Sequence, residues 1–232
     1  MALYVISDPH LSLSCDKPMD VFGKRWENYM MRLRENWQKT VKDGDTVVMN
    51  GDISWAMSLE EAKKDFEFIE SFNGTKIISK GNHDFWWSTV SKIESFFDEN
   101  GVKSVRLLHN NAYDCGEYIV AGSRGWLVES TCEHDEKIIA RESARLEMSI
   151  LKAEQLRGDS GREILVFLHY PVSHNGFTNE SILSVLKAHG IKRVFYGHLH
   201  NTVPSSLTGA AQGIEMRLTS ADHLGFTPML IK

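Results

Sequence analysis

Short apolar runs alternate with amphipathic stretches along this chain. The runs at 2–7, 45–50, 75–80, 117–122, 164–169 and 192–197 are brief and rich in Val, Ile, Phe and Tyr. They predict buried strands. Between them, Phe22, Trp26, Tyr29, Leu33, Trp37 and Val41 recur every three or four positions and predict one long helix over 20–42. Ser58 and Glu61 form a capping box ahead of Ala62, Phe66 and Ile69, which predicts a helix over 58–72. Trp86, Val90, Ile93 and Phe97 mark another over 86–98. Over 136–156 the composition favours helix, yet no clear apolar face stands out. Ile182, Val185 and Leu186 share one face of 178–189, with Gly190 as the expected stop. From 203 to 231 short strands and turns are expected, and 213–218 alternates with a period of two. Strand–helix alternation of this kind predicts an α/β protein with a largely parallel sheet.

The predicted strands end in side chains that bind metals. In order, these are Asp8-Pro9-His10, Gly51-Asp52, Gly81-Asn82-His83-Asp84, His169 and Gly197-His198-Leu199-His200. Open α/β sheets gather their sites at the carboxyl ends of strands, so segments far apart in sequence can meet there. Taken singly, each segment reads more simply as a turn or a helix cap. Taken together, their order and donor types favour a metal site.

The candidate ligands are Asp8, His10, Asp52, Asn82, His169, His198 and His200. All offer oxygen or imidazole nitrogen, a set that suits Mn, Fe, Zn, Co or Ni better than Ca or Mg. Two divalent ions share these ligands most simply if one carboxylate bridges. Two carboxylates offset only part of the metal charge, so the site stays electropositive and attracts an anion such as phosphate. Ions about 3.5–4 Å apart can hold a bridging hydroxide and clamp phosphate oxygens for in-line attack. His83 is surplus to the ligand count, and its neighbour Asn82 should bring it into the same cavity. It is a candidate general acid or stabiliser of phosphoryl charge. Asp84 would orient that imidazole or cap the following helix.

Composition narrows the partners. The chain has 232 residues, 42% hydrophobic and 25% charged, with a formal net charge of -5. That balance argues against a broad basic surface for duplex nucleic acid or acidic membrane. Cys15, Cys115 and Cys132 are widely spaced and form no C-x-x-C pair, which fits a reducing compartment. The first residues carry neither a basic leader nor a long apolar stretch. A cytoplasmic location is therefore expected.

The set D-x-H, GD, GNHD, H and GHxH resembles the calcineurin-like metallophosphoesterases, and the match runs from Asp8 to His200. The resemblance implies a four-layer αββα sandwich of two mixed sheets flanked by helices, as a single domain over 1–232. It implies one ion held by Asp8, His10, Asp52 and His200. The second would be held by Asp52, Asn82, His169 and His198, with Asp52 bridging. His83 matches the family's catalytic histidine. Many members carry an acidic residue soon after GD, whereas this chain has Ile53-Ser54-Trp55. The implied activity is hydrolysis of a small phosphate monoester or diester. A nuclease with the same centre ranks second because the chain is acidic. A non-catalytic scaffold ranks third because the ligands and His83 are intact.

Substrate contacts are expected from Arg124, Trp126, Trp55 and Trp86, which follow metal motifs or predicted strands. If their loops share one rim, they form an aromatic wall with a cation, suited to a small ester with a flat or apolar leaving group. For Trp55, Trp86 and Trp87, packing beneath the loops is the favoured expectation and substrate contact the alternative. Trp26 and Trp37 belong in the core. His109, His134, His174, His189 and His223 lack motif context and are expected at the surface or in satisfied positions.

Overall fold

The computed structural model describes residues 1–17, 19–127, 133–202, 208–211 and 213–232. Cys132 lies outside the described residues, as does the side chain of His134. The strands are β1 (Leu3–Ile6), β2 (Thr46–Asn50), β3 (Thr75–Ser79), β4 (Val105–Leu107), β5 (Ala112–Cys115), β6 (Tyr118–Ser123) and β7 (Glu163–Leu168). They continue with β8 (Ser173–His174), β9 (Phe177–Thr178), β10 (Arg193–Tyr196), β11 (Thr208–Ala211), β12 (Ile214–Leu218) and β13 (Met229–Leu230). The helices are α1 (Tyr29–Thr40), α2 (Lys63–Glu70), α3 (Val90–Glu99), α4 (Glu133–Arg157) and α5 (Glu180–Ala188).

Two sheets form rather than one largely parallel sheet. The first has the order β13-β1-β2-β3-β4 and the second β11-β12-β10-β7-β6-β5, while β8 and β9 make a separate small hairpin. In each sheet the inner strands are parallel, and β13, β5 and β11 join antiparallel at the edges. Alternating side chains explain the layering. Leu3, Val5, Val48 and Ile77 of the first sheet meet Val120, Leu165, Phe167 and Phe195 of the second in one buried cluster. Phe167 and Phe195 stack there at 5.0 Å. The opposite face of the first sheet packs Val47, Met49 and Ile78 against Leu33, Trp37, Phe66 and Ile93 of α1, α2 and α3. The opposite face of the second packs Val166 and Val194 against Leu146 and Ile150 of α4 and Leu183 of α5. The result is the αββα sandwich.

Several elements differ from the periodicity reading. The expected helix over 20–42 is two short 3-10 turns followed by α1. Gly23 at φ 105 and Asn28 at φ 52 take left-handed backbone that a continuous helix cannot hold. The 58–72 helix starts only at Lys63, and its capping box is shifted. Ser58 Oγ accepts the Glu61 N–H at 3.2 Å, but the Glu61 carboxylate takes the N–H of Met57 at 2.6 Å. The indistinct face of α4 has a cause: Glu142 and Ser149 are buried in the same stripe as Leu146, Ile150 and Ala153. Ser149 Oγ accepts from Gly122 N–H at 2.8 Å and donates to the Asn111 carbonyl at 2.6 Å. Among the described residues no helix is long and apolar enough to cross a membrane.

Candidate metal centre

The carboxyl ends of β1, β2 and β3 in one sheet and of β7 and β10 in the other point at one place. Asn50 joins the sheets there, donating from Nδ2 to the Leu168 carbonyl at 2.7 Å. Two glycines let the ligand loops close in. A Cβ on Gly81 would meet Asp52 Oδ1 at 2.1 Å, and one on Gly197 would meet Asp8 Oδ2 at 2.3 Å. The candidate ligands Asp8, His10, Asp52 and His198 themselves hold positive φ, at 55, 48, 51 and 69. Such backbone is costly for non-glycine residues and collects at functional sites.

Two groups of donors result. Asp8, His10 and His200 each present a donor atom within 4.8 Å of the others, and so do Asp52, His169 and His198. Asp52 stands between the groups. Its Oδ2 is 3.7 Å from His10 Nε2 and 3.6 Å from His169 Nε2, while Oδ1 accepts the His83 N–H at 2.7 Å. Asn82 Oδ1 lies 2.6 Å from His169 Nε2 and 2.9 Å from His198 Nδ1. All seven candidates therefore meet.

The donor chemistry fits a pair of cations. His169 Nδ1 faces the Asn50 carbonyl at 3.2 Å, which can only accept, so Nε2 of the neutral ring carries a lone pair. That lone pair faces the Asn82 amide oxygen, and a cation bound by both atoms would relieve the contact. Likewise His200 Nδ1 donates to Asp222 at 2.8 Å, so Nε2 of the neutral ring is an acceptor, 3.1 Å from His10 Nε2. Burial and the neighbouring imidazoles push His198 down to about 3. Burial also holds His169 at about 4, against the opposing charge of Asp8. Both rings are neutral and able to ligate at pH 7. Burial raises Asp8 and lifts Asp52 to about 7. His200 goes the other way: burial opposes its charge, but Asp222 and Asp8 outweigh it.

His83 is half-buried beside this cluster, its ring 4.3 Å from Trp55 and 5.8 Å from His10. Asp84 neither orients it nor caps a helix. Its carboxylate accepts the N–H groups of Ile53 at 2.8 Å, Ser54 at 3.2 Å and Gly81 at 2.7 Å, and the Trp86 indole at 2.9 Å. It knits the two ligand loops together. Of the two expectations for Trp86, packing and substrate contact, the structure has packing: it is 2% exposed and edge-on to Phe66 at 4.9 Å. Trp55 does face the site, stacked on His10 at 4.9 Å. Arg124 and Trp126 lie on the opposite flank. The guanidinium is 5.0 Å from the Trp126 ring, Trp126 meets Tyr170 at 5.5 Å, and Tyr170 meets His198 at 4.5 Å.

Asp222 was not singled out from sequence. Besides holding His200 it accepts the Asn201 N–H at 3.1 Å. Ser220 is similar, donating to Asp8 Oδ2 at 3.1 Å. The available signal was position: both follow the period-two stretch at 213–218, at a strand's carboxyl end like the other site residues.

The architecture defines a class, an αββα sandwich whose two sheets converge on one Asp/His/Asn cluster. The model of the calcineurin-like phosphoesterases matches residues 1–202, and the chain belongs to that family. The uncharacterized protein MJ1445 of Methanocaldococcus jannaschii is 33% identical over 113 residues, which is 47% of this chain and 58% of that protein. The chain thus spans little more than half of that relative's length. AQ665 of Aquifex aeolicus, a protein of unknown function, superposes with a TM-score of 0.56 at 15% identity, over 99% of this chain and 95% of that one. The phosphopantetheinyl hydrolase PptH of Mycobacterium tuberculosis gives 0.53 at 14% identity, over 94% and 88%. TT1561 of Thermus thermophilus gives 0.56 at 12%, over 93% and 87%. At these identities the likeness is one of fold.

Proposed function

We propose that the protein is a binuclear metal-dependent phosphohydrolase that cleaves a small phosphate monoester or diester. Asp8, His10, Asp52 and His200 would hold one ion, and Asp52, Asn82, His169 and His198 the other. The observation that carries this reading is the place of Asp52 Oδ2, less than 4 Å from an imidazole nitrogen of each group. The donors argue for transition metals such as Mn, Fe or Zn. Bound divalent ions would supply Lewis acidity toward phosphoryl oxygens and an activated water at neutral pH.

The chain's own residues do the rest. The His83 amide fixes the rotamer of Asp52, and Asp222 fixes the ring of His200. His83 donates a proton to the leaving alkoxide, or stabilises phosphoryl charge. Burial, together with His169 and His200, holds His83 down at about 4 without substrate, so the phosphate anion itself must favour its protonation. Trp55 keeps the rings of His10 and His83 in place. A hydrolase among the structural neighbours supports this reading, and free Cys15 and Cys115 fit a cytoplasmic location.

The test is elemental analysis of protein purified without chelator, paired with assays on chromogenic phosphate monoesters and diesters. Two tightly bound transition-metal ions and metal-dependent turnover are expected. At most one bound ion under metal-replete conditions, or no turnover of either ester class, would refute the reading.

A further inference from the structure

A polar cavity of about 200 Å³ opens beside the candidate metal centre. It lies between the loops that follow β3, β4 and β6 and the first half of α4. Its walls include Lys80, Asn110, Arg124, Arg141, Glu142 and Arg145. Two of them tie it to the centre. Lys80 stands two positions before Asn82 in the same loop. The Arg124 carbonyl accepts the N–H groups of His169 at 3.1 Å and Tyr170 at 3.0 Å. His109, expected at the surface or satisfied, also lines it.

Among the described residues that line this cavity the charge is unbalanced. Glu142 is fully buried, and its Oε1 faces Arg145 at 2.9 Å, Arg141 at 3.4 Å and Arg124 at 3.8 Å. One carboxylate cannot neutralise three guanidinium groups and the ammonium of Lys80. Nor does it satisfy their donors: among the described residues Arg124 Nε is buried with no hydrogen-bond partner. Convergent guanidinium groups match the oxygens of a phosphate. The size limits the ligand further. Drug-sized ligands occupy pockets of about 300–1,000 Å³, and a water molecule takes about 30 Å³ of liquid. This cavity therefore matches a phosphoryl group and a few waters in size.

We infer that the cavity binds a second phosphate of the substrate, so that the protein acts on phosphoesters carrying another phosphate group near the scissile one. The inference rests on the phosphohydrolase reading and names its substrate class. Lys80, in the loop of Asn82, and Arg124, whose carbonyl holds the His169 amide, set the cavity next to the centre. Trp126 lies against the Arg124 guanidinium at 5.0 Å and restricts its movement at the cavity wall. The leaving group is then anionic, in place of the flat apolar one that the tryptophans suggested.

The test uses the metal-loaded full chain and calorimetric titration. α,ω-Alkanebisphosphonates of increasing chain length are compared with the matching monophosphonates, none of which has a scissile ester. At the fitting length the bisphosphonate should bind about tenfold more tightly or better, because the second contact is intramolecular. The advantage should disappear in an Arg141→Gln/Arg145→Gln variant, whose fold is checked by its melting transition. It should grow in Glu142→Gln, which removes the competing carboxylate. No advantage at any length, or an advantage that survives the double variant, overturns the inference. Inorganic phosphate binding that the double variant loses, with no bisphosphonate advantage, would make the cavity a free-phosphate site and likewise overturn it. Assays of the corresponding bisphosphate and monophosphate esters separate the two readings. Hydrolysis of neither, with the bisphosphonate advantage intact, refutes the phosphohydrolase alone and leaves a site for a ligand with two phosphates.

Discussion

Asp222→Asn is a close isostere with a calculable effect. The Asp222 carboxylate receives two donors, His200 Nδ1–H at 2.8 Å on one oxygen and Asn201 N–H at 3.1 Å on the other. An amide has one acceptor oxygen and one donor nitrogen, so one of these part-buried donors must lose its partner. A fully buried donor stranded in this way costs about 1–3 kcal/mol, which bounds the cost for these part-buried ones from above. With about 1.4 kcal/mol per factor of ten, the expected loss is at most about 5- to 150-fold in an equilibrium constant. If Asp222 acts through His200, that loss falls on metal affinity, in the range of about 10–100-fold seen when a ligand's outer partner is removed. The assay is competition with a chromogenic chelator, run beside melting of the metal-loaded and chelator-treated protein. The variant should weaken metal binding and lower the melting temperature mainly in the loaded form. Metal affinity within about twofold of the parent, with equal destabilisation of both forms, would refute the positioning role and leave Asp222 a structural residue.

Asp52→Ala should lose more metal and more activity than His10→Ala, because Asp52 Oδ2 lies beside both donor groups; equal metal content and residual turnover in the two would count against bridging. His83→Ala should keep its metals yet lower turnover by about 10²–10⁴-fold, with a smaller defect for nitrophenyl than for alkyl esters. An equal defect for both ester types would exclude the acid role. Lys76 is fully buried, and burial pushes it down to about 8 against the opposing charge of Glu70. A lysine with a lowered folded value binds fewer protons folded than unfolded, so stability should rise with pH between about 8 and 10.4, by about 3 kcal/mol. Lys76→Met should lack that rise in denaturant titrations across the window, and parallel pH profiles for the two proteins would refute the assignment.

Much of the scaffold could be read from the chain because its inner strands are short, apolar and buried on both faces. Their alternation could not say that two sheets face each other, since a strand buried on both sides reads the same in either arrangement. The edge strands β4, β5, β8 and β9 were too short and too mixed to register. The break before α1 was signalled by Gly23, but the left-handed Asn28 depends on tertiary packing. The candidate ligands were legible because each stands at a strand end in a distinctive order. Their supports were harder to read. Asp84 sits in the most recognisable motif, yet it ties Ile53, Ser54 and Gly81 together, and nothing local predicts such partners. Asp222 and Glu142 draw their meaning from groups brought to them by the fold.

The positive φ values of Asp8, His10, Asp52 and His198 set the protein's stability against its site. Left-handed backbone costs an L-residue about 1–2 kcal/mol, and a domain's whole stability is about 5–15 kcal/mol. Glycine at any of these positions would relieve part of that cost while removing a donor. Selection or engineering for heat resistance alone should therefore erode these positions early, yielding hardier proteins that bind metal poorly. An unselected lineage would drift the same way, so keeping histidine at 10 and 198 requires continued selection on what the site does.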